Sequence, residues 1–269
     1  MRIWVAGSIA WDTVLYIDKV PSVGGFTHAK LHQERPGGQA LNIAAALNET
    51  GLQTALVGYL GNDEFSNKLI EFAETHTYAQ VINFIDHPTP HVVVLVDENG
   101  ERTMIGMEQS HFDQIKLPIA ELESEDIVVW PVWRECFTQD LNSAREKGCR
   151  TIVGIGALKQ ALNADIAVGS SKELSTDFEI EKYLQNIPRI IVTDSDTGAI
   201  EYSAAGKIQI ASKAKKVIDT TGAGDAFLCG IIKVLAEQGS QQKALEVATK
   251  WAALAVASKS SIPPAFTDN

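Results

Sequence analysis

Four short apolar runs in the second half of the chain, Ile127 to Trp130, Thr151 to Ile155, Ile166 to Val168 and Ile190 to Thr193, constrain the fold most. Segments of helical or mixed pattern separate them, near 137–147, 157–163 and 173–186. Strands of a parallel sheet are buried on both faces and read as continuous apolar runs, and each needs a crossover, usually helical, to reach the next. The alternation therefore predicts an α/β protein with parallel strands and helices on both faces.

The first half is more mixed. Ile3 to Gly7, Thr13 to Ile17 and Thr54 to Gly58 read as strands, residues 26–35 as an edge strand, and Glu64 to Thr75 as an amphipathic helix. Pro36-Gly37-Gly38 leads into an Ala/Leu-rich helix that should stop near Gly51. His91 to Val96 is β-prone, Asp97-Glu98-Asn99-Gly100 is a turn, and Arg102 to Ile105 is the return strand. Ala199 to Tyr202 and Lys207 to Ala211 form a late hairpin. Helices from Ala226 to Gln238 and from Lys243 to about Lys259 close the chain. There is no internal repeat, low-complexity tract or linker.

A formal net charge of −11 argues against non-specific nucleic-acid binding and against anionic membranes as partners. Lys213, Lys215 and Lys216 form a small basic cluster that reads as a solvated edge. Cys136, Cys149 and Cys229 are odd in number with no CxxC spacing, so they read as reduced thiols rather than disulfides or a zinc site. The N-terminal stretch reaches Asp12 without a long apolar run, which predicts no secretory signal and a cytoplasmic protein.

The chemistry concentrates in Asp219-Thr220-Thr221-Gly222-Ala223-Gly224-Asp225, which opens the helix beginning near Ala226. Amides at a helix start have no intrahelical carbonyl and form an anion site, and small residues admit a phosphate close to the main chain. Asp225 beside that anion is placed to act as a general base on an attacking hydroxyl. The competing reading is a tight turn with an acidic residue favoured by the helix dipole. Gly37-Gly38 before the earlier helix repeats this logic. Asn42, one turn in, offers a donor and an acceptor, and Asp12 after the first strand is an acceptor for hydroxyls. Singly these are a turn and a cap; together, beyond the carboxyl ends of strands, they suggest one ligand site.

Two long motifs, far apart and in order, make the chain resemble the ribokinase-like (PfkB) carbohydrate kinases. One is Gly37-Gly38-Gln39-Ala40-Leu41-Asn42-Ile43-Ala44 with the downstream Gly58-Tyr59-Leu60-Gly61-Asn62-Asp63-Glu64-Phe65; the other runs from Asp219 to Phe227. The resemblance covers nearly the whole chain. It implies one three-layer α/β/α domain over residues 1–269, with a small β lid from about 13–35 and 91–106. The implied reaction is transfer of the ATP γ-phosphoryl group to a sugar hydroxyl. In it Asp225 is the base, the Gly222, Ala223 and Gly224 amides form the anion hole, and Asp12, Gly37, Gly38 and Asn42 hold the acceptor. Lid strands pair between protomers in such kinases, which makes a homodimer through the lid an expectation of the same kind.

The chain departs from the family pattern in three places. The usual Asn-x-x-Glu is Ser170-Ser171-Lys172-Glu173, which keeps Glu173 for magnesium-bound water and replaces the Asn. The nucleotide loop, usually Thr-x-Gly-x-x-Gly, is Thr193-Asp194-Ser195-Asp196-Thr197-Gly198, with Ser195 at the first glycine and two extra acids near the triphosphate. The usual C-terminal Gly-Ala is Ser260-Ser261. That region and the Asp219 region supply carbonyls to an activating monovalent cation in the family, so the resemblance leaves a potassium site at Asp219 in question. Two alternatives stand beside the sugar kinase. One is a nucleoside kinase, with Trp4, Trp11, Phe26 and His91 available to pack on a base. The other is a sugar- or nucleotide-binding regulator that has lost efficient turnover.

Overall fold

The computed structural model describes residues 1–160, 162–175, 178–195, 197–215 and 217–266; Asp196 and Lys216 lie outside the described residues. The strands are β1 (Ile3–Ala6), β2 (Ala10–Tyr16), β3 (Leu31–Gly37), β4 (Thr54–Leu60), β5 (Ala79–Phe84), β6 (His91–Val96), β7 (Arg102–Gly106), β8 (Ile127–Trp130), β9 (Arg150–Gly154), β10 (Ile166–Ser170), β11 (Arg189–Asp194), β12 (Gly198–Ser203) and β13 (Gly206–Ile210). The helices are α1 (Gln39–Asn48), α2 (Glu64–His76), α3 (Thr138–Glu146), α4 (Ala223–Ala236) and α5 (Gln241–Ala255).

Among the described residues one sheet has nine strands in the order β13-β12-β11-β10-β9-β8-β1-β4-β5. All its pairs are parallel except the terminal hairpins β11–β12 and β12–β13. Its two faces carry separate apolar cores. On one, Ile3, Val5 and Ile191 pack against α1, α4 and α5. On the other, Trp4, Val128 and Trp130 pack against α3 and neighbouring turns. Adjacent strand residues point to opposite faces, and because both faces are covered all three residues of the Ile3-Trp4-Val5 run are buried. Leu41, Ile43 and Leu47 of α1 are wholly buried, each worth about 1.5–3 kcal/mol relative to an exposed side chain.

The second sheet, β3-β2-β6-β7, pairs β2 with β3 antiparallel, β2 with β6 parallel and β6 with β7 antiparallel. Asp12 lies opposite Arg35 in this register. Asp63 fixes the far side. Its carboxylate caps α2 through the Ser66 amide at 3.0 Å and also accepts from the Thr89 amide and hydroxyl, each at 2.7 Å, tying α2 to the approach to β6.

Three sequence expectations are corrected. The segments near 157–163 and 173–186 hold no α-helix among the described residues, but short 3₁₀ turns at Ile155–Lys159, Ser171–Glu173 and Ile180–Tyr183. The edge segment 26–35 forms a strand only from Leu31. Strand β5 is an addition: its residues are half-buried or exposed, so it lacks a buried apolar run. No helix of the described residues is long and apolar enough to cross a membrane.

Candidate active site

The site forms beyond the carboxyl ends of β1, β10 and β11, where two helices begin beside each other. Gly38 starts α1 at φ 92°, a conformation that suits glycine, and a side chain there would strike the Ser8 backbone. Ser8 returns the chain from β1, its hydroxyl accepting from the Gln39 amide at 3.1 Å. Gly222 starts α4 in the left-handed region at φ 78°, with the Ser261 carbonyl directly against its Cα.

Asp225 sits in the first turn of α4, only 7% exposed. Its Oδ2 accepts a 2.8 Å hydrogen bond from Asn42 Nδ2 on α1. Burial pushes its carboxyl up to about 6, against the opposing pull of the Asn42 hydrogen bond and of the Arg102 charge. The other side-chain atom of Asn42, Oδ1, is buried and has no protein partner, leaving an acceptor free at the site. The Ala223 amide makes a long 3.4 Å contact to the Thr220 carbonyl, and Gly224 borders open space.

Asp12 approaches from the second sheet. Gly37 lies so close that a Cβ there would overlap the Asp12 carboxylate. Burial is the largest influence on Asp12 and raises it to about 7; Arg35 opposes this, Asp225 adds to it, Arg102 opposes and Asp219 adds. The structure thus brings Asp12, Gly37, Gly38, Asn42 and Asp225 together. Arg35 and Arg102 are site residues that sequence reading missed. Arg35 immediately precedes Pro36-Gly37-Gly38, and that adjacency was the available signal. Arg102 donates to the carbonyl of Thr220, and Thr220 donates back to the Gly100 carbonyl through its amide at 3.1 Å and its hydroxyl at 3.2 Å.

On the other side of the α4 start, a groove is lined by Thr193, Ser195, Gly198, Ala223, Gly224 and Phe227 among others. The expected nucleotide-loop residues therefore share one wall with the Ala223-Gly224 turn. Ser195, at the glycine position, adopts φ 38°. Asp194 is not a loose acid: it accepts from Ser171 Oγ at 2.8 Å and from Thr197 Oγ1 at 3.0 Å, which joins the two loops. Ser170 caps its turn, and its amide donates to Glu173 Oε1 at 2.9 Å.

The aromatic candidates separate. Trp4 is fully buried, with its indole N–H on Asp126 at 2.9 Å, and belongs to the core. Phe26 is 81% exposed. Trp11 stacks on Phe65, and His91 bonds Thr13 at 2.8 Å. Trp11 and Thr13 alternate with Asp12 on β2 and so face away from it.

The fold is a large, mostly parallel α/β sheet with two helix starts meeting at one site. The model of the pfkB family carbohydrate kinases matches residues 3–268, and the chain belongs to that family. A ribokinase of Bacillus subtilis is 24% identical over 274 residues, spanning 96% of this chain and 93% of its own. The crystal structure of a ribokinase from Thermotoga maritima, 24% identical, matches with a TM-score of 0.76 over 98% of this chain and 95% of that one. A Burkholderia thailandensis nucleoside kinase in complex with inosine, 19% identical, reaches 0.80 over 98% and 94%. These structural likenesses show the fold.

Proposed function

We propose that the chain transfers the γ-phosphoryl group of ATP to a hydroxyl of a small sugar or nucleoside. The observation that carries this is Asp225: a buried carboxylate with a raised pKa, standing between the Ala223-Gly224 groove and the Asp12 side of the site. Asp225 takes the hydroxyl proton as the acceptor oxygen bonds to the γ-phosphorus and the bridging oxygen leaves with ADP. The first-turn amides of α4 face the transferring group and stabilise its charge. Asp12 and the free Oδ1 of Asn42 accept hydrogen bonds from acceptor hydroxyls. The β3-β2-β6-β7 sheet is the lid, and its Val14 and Val94 keep water from the face that carries Asp12.

The groove fits a nucleotide in its donor set, with Thr193 and the small residues Gly198, Ala223 and Gly224 along it. Glu173 is an oxygen ligand of the kind magnesium uses through water, and it lies on the turn that Ser171 ties to Asp194. Magnesium there would neutralise phosphate charge. ADP release with Mg-ATP against sugars, sugar phosphates and nucleosides tests the reading, with Asp225→Asn as the blank. One strong acceptor lost in the variant supports it. Ligand binding without turnover for any acceptor supports the regulator reading instead.

A further inference from the structure

A buried carboxylate needs a compensating charge, and Asp219 is wholly buried. In this family the position is expected to hold a monovalent cation, shared with carbonyls of the loop near Ser260-Ser261. The residues present do not fit one. The guanidinium of Arg35 lies between the two elements: its Nη2 is 3.6 Å from Asp219 Oδ2, and its Nη1 donates to the Lys259 carbonyl. Both carboxylate oxygens of Asp219 also have protein donors. Oδ1 takes the Thr221 amide at 2.8 Å, and Oδ2 takes the Tyr16 hydroxyl at 3.3 Å.

Backbone and side-chain hydrogen bonds close around this cluster, although Arg35 Nε and Nη2 and Thr221 Oγ1 make none of their own. The Ile218 and Asp219 amides donate to the Val256 carbonyl at 2.7 and 3.3 Å, Ser261 Oγ donates to the Pro36 carbonyl at 2.8 Å, and the Ser261 carbonyl abuts Gly222. A free cation here would meet a second positive charge and would have to displace it from both the carboxylate and the carbonyl. Arg35 is itself only 6% exposed and lies opposite Asp12 in the β2–β3 register, on the same inward face of the sheet.

We propose that the Arg35 guanidinium takes the place of the activating monovalent cation, holding the Asp219 turn and the Lys259 loop together so that the chain is independent of potassium. Arg35 is then a positioning residue. It fixes Asp219-Thr220-Thr221, and through them the Gly222 start of α4. The charge is carried by the chain and cannot be diluted away.

The test is thermal melting of the full chain at equal ionic strength in potassium, sodium and choline chlorides, for wild type, Arg35→Ala and Arg35→Lys. Wild type is expected to melt at the same temperature in all three. Arg35→Ala should melt about 6–20 °C lower in choline, the loss expected for one member of a buried ion pair in a chain of this size. Part of that loss should return in potassium but not in choline, a selectivity that a purely structural arginine would not create. Arg35→Lys keeps a charge and should stay insensitive to the salt. A potassium-specific rise in wild type, an unchanged Arg35→Ala, or an Arg35→Ala with no potassium response would each overturn the proposal. Should Arg35→Ala fail to fold, a potassium-specific rise in wild type or in Arg35→Lys overturns it, and salt-insensitive melting of both supports it. The catalytic arm rests on the phosphotransfer reading: wild-type ADP release should be equal in potassium and choline. Absence of turnover with every acceptor would count against that reading and leave the melting result standing.

Discussion

The side-chain amide of Asn42 donates to the carboxylate of Asp225 across 183 residues of sequence, joining the first turns of α1 and α4. The two most distinctive motifs of the chain therefore meet through one hydrogen bond. In the proposed reaction Asn42 would act on the base as well as on the acceptor. Its N–H favours the ionised form of Asp225, while burial disfavours it.

Removing that donor should move the base. In Asn42→Ala the acid limb of the kcat/KM profile should shift upward by about one pH unit, with kcat/KM at neutral pH reduced. A pH–rate series on both proteins checks this. A variant that changed only the acceptor KM, with the acid limb unmoved, would place Asn42 in binding alone.

Asp225→Asn should lower turnover by roughly 10²–10⁴-fold while leaving ATP and acceptor affinity nearly unchanged, the usual range for loss of a general base. Calorimetric binding beside steady-state ADP release separates the two effects. In wild type, kcat/KM should fall as pH drops below about 6, where Asp225 becomes protonated.

Asp12 gives a stability prediction with a definite sign. Its folded pKa of about 7 lies above the 3.8 of an ordinary aspartate, so the folded state binds more protons between those limits. Stability from this group is complete below pH 3.8 and is lost as pH rises through 7, up to about 4 kcal/mol for a shift of this size. Asp12→Asn should remove that slope. Urea titrations of both proteins at several pH values measure it; equal slopes would contradict the burial argument.

Ser195 occupies a left-handed conformation at φ 38° that glycine adopts at little cost. Ser195→Gly should raise stability by about 0.5 kcal/mol, the relief of strain exceeding the added chain entropy. Chemical denaturation resolves a gain from a loss. A loss would mean that the serine side chain makes a compensating contact.

The chemistry of the site was legible where it depends on local backbone. Gly38, Gly222 and Asp225 are readable because a helix start with small residues has a local signature. Asp12 and Asn42 were readable as candidates, but the bond between Asn42 and Asp225 was not, since it depends on two distant helices starting side by side. Arg35 was hidden for a similar reason. Only the β2–β3 register sets it against Asp12, and only the fold of the C-terminal loop brings Lys259 to it. The segments near 157–163 and 173–186 read as helical or mixed, and are 3₁₀ turns because their apolar residues, such as Leu158, serve the core from single turns. Strand β5 escaped because an edge strand with one open side needs no apolar run.

The hairpin between β6 and β7 does more than roof the site. The Gly100 carbonyl takes both the amide and the hydroxyl of Thr220, and Arg102 grips the Thr220 carbonyl in return. Thr220 lies two residues before Gly222. Lifting the hairpin therefore unfastens the segment that sets where α4 begins. In the proposed reaction the door and the cradle would share a hinge pin, and an opening that let product leave would also slacken the grip on phosphate.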